Sequence, residues 1–254
     1  MGIHEDLTSF INKFKIEKGN PYSNTSLGNP KTSIFIPDEQ YDQFVDLYGK
    51  ALTNGVDLHF TEKPTNPSPM RIDLDFRFAI DENSYVQSSD DTKIIRRIYN
   101  SEHVQNIVQT YFDVINKYLD IPSEHNVAYV MEKSRPSEFR NKIKDGIHIV
   151  FPHIIVSNNV QHFIRNKIID IASDMLHDLP VCNDYASIID KAIIDVNCWL
   201  MYGSKKIEID SYRVTQIFDY DSSKIVSKRN ANITAVDEIS FIKLFSMRKK
   251  CVPT

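Results

Sequence analysis

Residues 71–78 read Arg71-Ile-Asp-Leu-Asp-Phe-Arg-Phe78, two acids one residue apart inside an apolar, aromatic run. Side chains alternate faces along a strand, so Asp73 and Asp75 share one face while Ile72, Leu74 and Phe76 take the other. Adjacent carboxylates repel each other and resist burial unless a cation sits between them. A hard divalent ion, Mg2+ or Mn2+, relieves that repulsion with oxygen ligands and keeps coordination positions for substrate phosphates. The plain alternative is a sheet-edge strand that carries both acids into solvent. The apolar flanks and the motifs further along weigh against it.

Working outward, a short amphipathic helix (Leu7, Phe10, Ile11, Phe14), a Gly/Asn/Ser/Pro-rich loop from Gly19 to Lys31 and a strand-like stretch at 33–36 come first. Pro37-Asp38 then opens a helix with Tyr41, Phe44, Val45, Tyr48 and Leu52 on one face, stopped at Asn54-Gly55. Strands are expected at 56–61 and 70–78, on either side of a Pro-rich turn. After a polar loop at 81–91, apolar residues at helical spacing predict a helix over 101–119 with Ser101 as its cap. A strand at 126–131, a basic loop, a strand at 147–156 and a second long helix over about 160–179 follow. The pattern turns strand-like again from Ser187, with a strand at 212–219 and a last helix at 236–247. This alternation predicts an α+β protein in which helices cover one face of a mainly antiparallel sheet.

The 254 residues suffice for one large domain or two intimate subdomains, and 41% hydrophobic with 25% charged residues is ordinary for a globular chain. No apolar run approaches a membrane span, and the N-terminus lacks a signal-peptide pattern. Met1-Gly2 alone suggests myristoylation, but Asp6 stands where Ser or Thr is required. An intracellular protein is expected. Cys182, Cys198 and Cys251 are too few and too scattered for a zinc site or a disulfide framework. A net charge of −4 is not that of a protein that coats nucleic acid indiscriminately, so any bound polyanion must meet a local basic patch. Candidates are Arg135 to Lys144, and Lys205, Lys206 and Arg213; either alone reads equally as a solvated face. There is no internal repeat and no Gly-rich phosphate loop of the Gly-x-x-x-x-Gly-Lys-[Ser/Thr] type.

Two further constellations bear on chemistry. Lys142-Ile-Lys-Asp-Gly-Ile-His-Ile-Val-Phe151 reads as a basic loop that turns at Asp145-Gly146 and enters an apolar strand just before His148. His148 shares a face with Val150, so the imidazole is expected on the sheet surface; a lone histidine there is as readily structural, as His59 and His153 are taken to be. The stretch Ser187 to Lys206 contains Asp190 and Asp195, each after an apolar pair, and then the turn Gly203-Ser-Lys-Lys206. Either acid could complete a three-carboxylate metal site, and periodicity alone does not choose.

The ordered set apolar-Asp-x-Asp, Gly-x-His on a strand, then apolar-Asp and a Gly-Ser-x-Lys turn resembles the archaeo-eukaryotic primase superfamily. More narrowly it is similar to the N-terminal primase domain of the primase-helicases of poxviruses and giant nucleocytoplasmic DNA viruses. Stretches outside the motifs share the likeness: Asn24 to Pro30, Phe60 to Lys63, Pro69 to Arg77, Asp145 to Pro152, Trp199 to Lys206 and Tyr212 to Thr215. The resemblance implies that Asp190, followed by Ala192 and about a dozen residues before the turn, is the third acid. One departure stands out: poxvirus-type members carry Arg three residues before the turn glycine, where this chain has Leu200.

The resemblance implies a primase catalytic domain over 1–254, with an N-terminal α/β unit carrying the Asp-x-Asp strand to about residue 125 and an RRM-like catalytic sheet flanked by helices beyond it. The RNA-stacking aromatic signature of RRM domains is absent, so sequence-specific RNA reading is not expected. It also implies two Mg2+ or Mn2+ ions on Asp73, Asp75 and Asp190, nucleoside triphosphate contacts from His148, Lys144, Ser204, Lys206 and Arg213, and single-stranded DNA template contacts from Arg135, Arg140 and Lys142. A superfamily-3-like helicase region would lie C-terminal to this stretch, in a protein of a viral replication factory in the host cytoplasm. Two rivals remain in view. A metal-dependent nucleotide-sugar transferase also uses Asp-x-Asp but has no role for Gly-x-His or the Gly-Ser-Lys-Lys turn. A catalytically silent nucleic-acid-binding module on the same fold has no reason to keep three costly carboxylates.

Overall fold

The computed structural model describes residues 3–87, 93–207, 209–230 and 234–248. In chain order its elements are α1 (Ile3–Lys13), β1 (Lys15–Ile16), β2 (Asn24–Ser26), β3 (Thr32–Ile34), α2 (Asp38–Thr53), β4 (Phe60–Glu62) and β5 (Ser68–Ala79). A small hairpin, β6 (Tyr85–Gln87) and β7 (Lys93–Ile95), leads to α3 (Ser101–Tyr118), β8 (Val127–Glu132), β9 (Ser137–Phe139) and β10 (Lys142–Val156). Then come α4 (Asn158–Asp170), α5 (Ala172–Met175), α6 (Tyr185–Ile188), α7 (Ala192–Asp195), β11 (Trp199–Leu200), β12 (Arg213–Asp221), β13 (Lys224–Asn230) and α8 (Ala235–Leu244).

Alternation in β5 and β10 builds the longest pair of the larger sheet, whose order is β13-β12-β8-β10-β5 with β9 added beside β10. Its ladders are antiparallel. Ile72, Leu74, Phe76 and Phe78 of β5 and Ile147, Ile149 and Phe151 of β10 face α3, where Val104, Ile107, Val108, Tyr111, Phe112 and Ile115 complete the first core. On the opposite face Met131, Val150 and Val214 meet Phe44, Val45 and Tyr48 of α2, Phe241 of α8 with Phe245 just beyond it, and Trp199. A smaller sheet, β1-β3-β2-β4-β11, belongs to this second layer. The expected α+β class with antiparallel sheets is what the chain forms, but both faces of the large sheet are covered rather than one.

Several local expectations change. The division near residue 125 does not separate the sheets: β5 pairs with β10, and β11 pairs with β4. Asn100, not Ser101, caps α3, accepting from the amides of Glu102 and His103. The helix expected over 160–179 breaks at Ile171 into α4 and α5, and the strand-like stretch after Ser187 forms two single-turn helices before β11. Asp145-Gly146 is no turn. The chain reverses at Arg140-Asn141, with φ of 51° and 56°, the left-handed pair of a two-residue hairpin, and β10 runs straight through Asp145. Of the loop expected at 81–91, residues 85–87 form β6 and residues 88–91 lie outside the described residues.

Candidate active site

Asp73 lies opposite His148 and Asp75 opposite Gly146 across the β5–β10 ladder, on the face away from α3. The third acid reaches the free side of β5 through backbone bonds. The Cys182 amide donates to Arg77 O at 2.8 Å, and the Asp190 amide donates to Asp73 O at 3.0 Å. Asn183 locks the same edge, its side chain donating to Asp75 O and accepting from the Arg77 amide. Arg71, on the acid-bearing face, is buried and donates to the carbonyls of Ile193 and Ile194, which pins α7 beneath the site. Asp73, Asp75 and Asp190 therefore line one cleft of about 480 Å³ with Lys133, Lys144, Lys206, His148, Tyr212 and, from the small sheet, Thr25 and Thr61. That volume is within the range of small-molecule sites.

Asp195 goes elsewhere: its carboxylate bonds His162 and accepts from Asn158 Nδ2 at 2.9 Å. Those contacts hold its carboxyl below the usual range. The geometry thus separates the two acids that periodicity could not.

Burial, and then the charges of Asp75 and Asp190, push Asp73 up to about 7, while Lys206 and Lys144 pull the other way. Asp73 Oδ1 is buried without a hydrogen-bond partner; His148 Nε2 lies 3.5 Å away and misses hydrogen-bond geometry. Burial and the nearby Lys133 and Lys206 lower His148 to about 3, so the imidazole is neutral and the contact is not an ion pair. The ring is held by stacking instead, 3.6 Å from the Tyr212 ring at 10° and 4.6 Å from Trp199.

The donor chemistry, three carboxylates with one orphaned oxygen, suits a hard divalent cation. The side chains do not close on one point: among the described residues no three His, Cys, Asp or Glu groups form a cage. Asp75 Oδ2 is held by Lys144 at 3.1 Å, and Asp190 Oδ1 accepts from the Ala192 amide at 2.8 Å.

The remaining expected contacts divide. Lys144 and Lys206 line the cleft, and so does Leu200. Ser204 does not: its buried hydroxyl bonds Tyr48 Oη and accepts from the Phe60 amide, a latch between α2 and β4. Arg213 faces an adjoining cleft, where it pairs with Glu238 and Ser211. Arg135 reaches Asp210 at 3.7 Å, Arg140 lies in the turn of the β9–β10 hairpin and Lys142 follows it.

Sequence reasoning missed Lys133, a buried cation 5.4 Å from the Tyr212 ring centre, whose burial lowers it. Alternation could have found it: Met131 pairs with His148, and continuing β8 two residues puts Lys133 on the same face. It also missed the support behind the site. Arg97 donates to Asp145 at 2.8 Å, to Glu132 at 3.0 Å and to Lys133 O at 2.8 Å, so one guanidinium neutralises two buried acids and fixes the backbone of Lys133.

The described residues thus combine antiparallel sheets, an Asp-x-Asp strand beside a Gly-x-His strand and Asp190 delivered to the sheet edge. Residues 23–218 match the family model described as "C962R protein N-terminal AEP domain", AEP denoting archaeo-eukaryotic primase. The chain belongs to that family. It is similar to helicase-named proteins of Acanthamoeba polyphaga mimivirus (32% identical, covering 80% of this chain and 21% of the relative) and of Invertebrate iridescent virus 6 (25%, covering 85% and 23%). A helicase-named protein of Invertebrate iridescent virus 3 is 26% identical over 78% of this chain and 21% of its own length. The chain thus spans about a fifth of the length of the curated relatives it matches. No helix among the described residues is long and apolar enough to cross a membrane.

Proposed function

We propose that this chain is a DNA-templated nucleotidyltransferase that makes primers on single-stranded DNA, the N-terminal part of a viral primase-helicase. The observation that carries the reading is the convergence of Asp73, Asp75 and Asp190, from separate stretches of chain, on one cleft that also holds three lysines. Family membership supports the reaction class. Asp73 and Asp75, with Asp190, would hold Mg2+ or Mn2+, which when bound supplies charge neutralisation for a triphosphate and acidification of a primer 3′-hydroxyl. The chain's own groups then have distinct tasks. Lys144, Lys206 and Lys133 bind phosphate oxygens as charge-assisted donors. His148, neutral and fixed by its stack, donates one N–H to a phosphate oxygen. Arg140 and Lys142 contact the template backbone, which positions it without reading sequence.

Incubation with single-stranded DNA, Mg2+ or Mn2+ and labelled nucleotides is the test. Template-dependent products, reduced to background in Asp73→Asn and Asp75→Asn, are expected. Binding of DNA without any synthesis would replace this reading with that of a silent binding module. The helicase partner region and a place in viral genome replication belong to the same proposal, supported by the helicase-named relatives.

A further inference from the structure

The acid-bearing face of the large sheet continues past the cleft. Beyond Asp75 and Gly146, the β5–β10–β9 ladder places Arg77, Lys144 and Ser137 in one row and Ala79, Lys142 and Phe139 in the next. Four residues of strand separate Gly146 from Lys142, roughly 13 Å at a strand's rise. Phe139, the last residue before the turn, is 43% exposed. Its ring lies 5.5 Å from the Arg77 guanidinium and 4.9 Å from that of Arg140. A half-exposed phenylalanine with two guanidinium groups in cation–π reach, at the tip of a hairpin where its cross-strand partner is Lys142, combines a flat apolar surface with a positive rim.

We infer that Phe139 is a stacking platform for an unpaired base of a DNA single strand, with Arg77, Arg140 and Lys142 holding the flanking phosphates. This rests on the proposed template-directed function and names the path the template takes to the acids. Charge complementarity selects the occupant: a polyanion with exposed π-faces satisfies ring and cations together, as in sequence-tolerant single-strand binding. A duplex does not fit, because its bases are stacked inside and cannot reach the ring. The platform lies along the sheet face from Asp73 and Asp75, so a strand lying on it points at the cleft. The tight Arg140-Asn141 turn presents the ring at a fixed height.

The test is binding, without divalent metal or nucleotides, of a fluorescein-labelled dT oligonucleotide to the full chain, read by anisotropy. Phe139→Ala should weaken it about 5- to 100-fold, the range that base–aromatic stacking carries, while Phe139→Trp retains affinity and its emission is quenched by the oligonucleotide. Lys142→Gln should lower the slope of log affinity against log salt by about 0.7, as expected for one lost phosphate contact on a single strand. An unlabelled duplex should compete poorly. Unchanged affinity in Phe139→Ala, with wild-type binding intact, overturns the platform and leaves the polymerising role standing. No binding by wild-type chain also overturns the platform, while the polymerising role is decided separately by the synthesis assay. Normal binding combined with loss of synthesis only in Asp73→Asn would show that the two sites are separately damaged, as the inference requires.

Discussion

At the scale of single residues, the choice between Asp190 and Asp195 has a direct consequence. Asp190→Asn should reduce template-dependent synthesis to background, while Asp195→Asn, which disturbs an exposed contact with His162 and Asn158 and a charge interaction with Arg71 outside the cleft, should keep most of it; initial rates on one template decide. Glu62 offers a prediction outside the cleft. Burial raises its carboxyl above the ordinary range, against the Met247 amide, the Ser246 hydroxyl and Arg248, and its Oε2 accepts from Met247 N at 2.5 Å. A raised folded value means the folded chain holds its proton longer than the unfolded one. The two states match below about pH 4.3, and stability then falls as pH rises through the folded value. Wild-type protein should therefore lose stability relative to Glu62→Gln as pH rises above about 4.3, measured by urea midpoints across a pH series.

Elements show which parts of the site local pattern can reveal. β5 and the second half of β10 were legible because their apolar alternation is strong; it put Asp73 and Asp75 on one face of their strand and His148 with Val150 on theirs, while the pairing that brings the two strands' residues together was not legible. The Asp145-Gly146 pair misled because its chemistry is that of a turn, whereas the side chain that makes Asp145 tolerable in a strand is Arg97, far away in sequence. Gly146 is needed for a different reason. A Cβ there would stand 2.6 Å from Leu74 O and 3.1 Å from Tyr212 Oη, so β5 and β10 could not keep their approach. Gly146→Ala should cost about 1–3 kcal/mol by thermal denaturation, the usual range for overpacking. It should also lower synthesis further than the stability loss explains, because Tyr212 carries the His148 stack. Lys133 stayed hidden because it lies one residue past the end of β8 and two past Met131, where the expected strand ended.

Across the whole molecule, the two layers are woven from both ends of the chain. The strand that carries the Asp-x-Asp pair lies in a sheet whose other members come after residue 125, and α8 packs on α2. A linear reading divides the chain where a long helix ends, because it has no access to pairing between segments seventy residues apart. Expressed separately, residues 1–125 and 126–254 should each lack a cooperative thermal transition, since Leu74 and Phe76 would lose their β10 neighbours; the intact chain should unfold in one step by circular dichroism. Two autonomous transitions would contradict the interleaved core.

The cover over the outer side of β5 has a consequence beyond catalysis. Chain 181–190 occupies hydrogen-bonding positions along that rim, and its bridges to Leu74 and Phe78 deny them to any foreign strand. At the opposite rim, β13 is protected differently: Gln109 accepts from the Ile225 amide, and Lys224, Lys228 and Arg229 spread positive charge along the strand. Such charge discourages self-association only while it is unscreened. Concentrated salt should thus turn the β13 side, and not the catalytic side, into the place where copies of this protein first stick together.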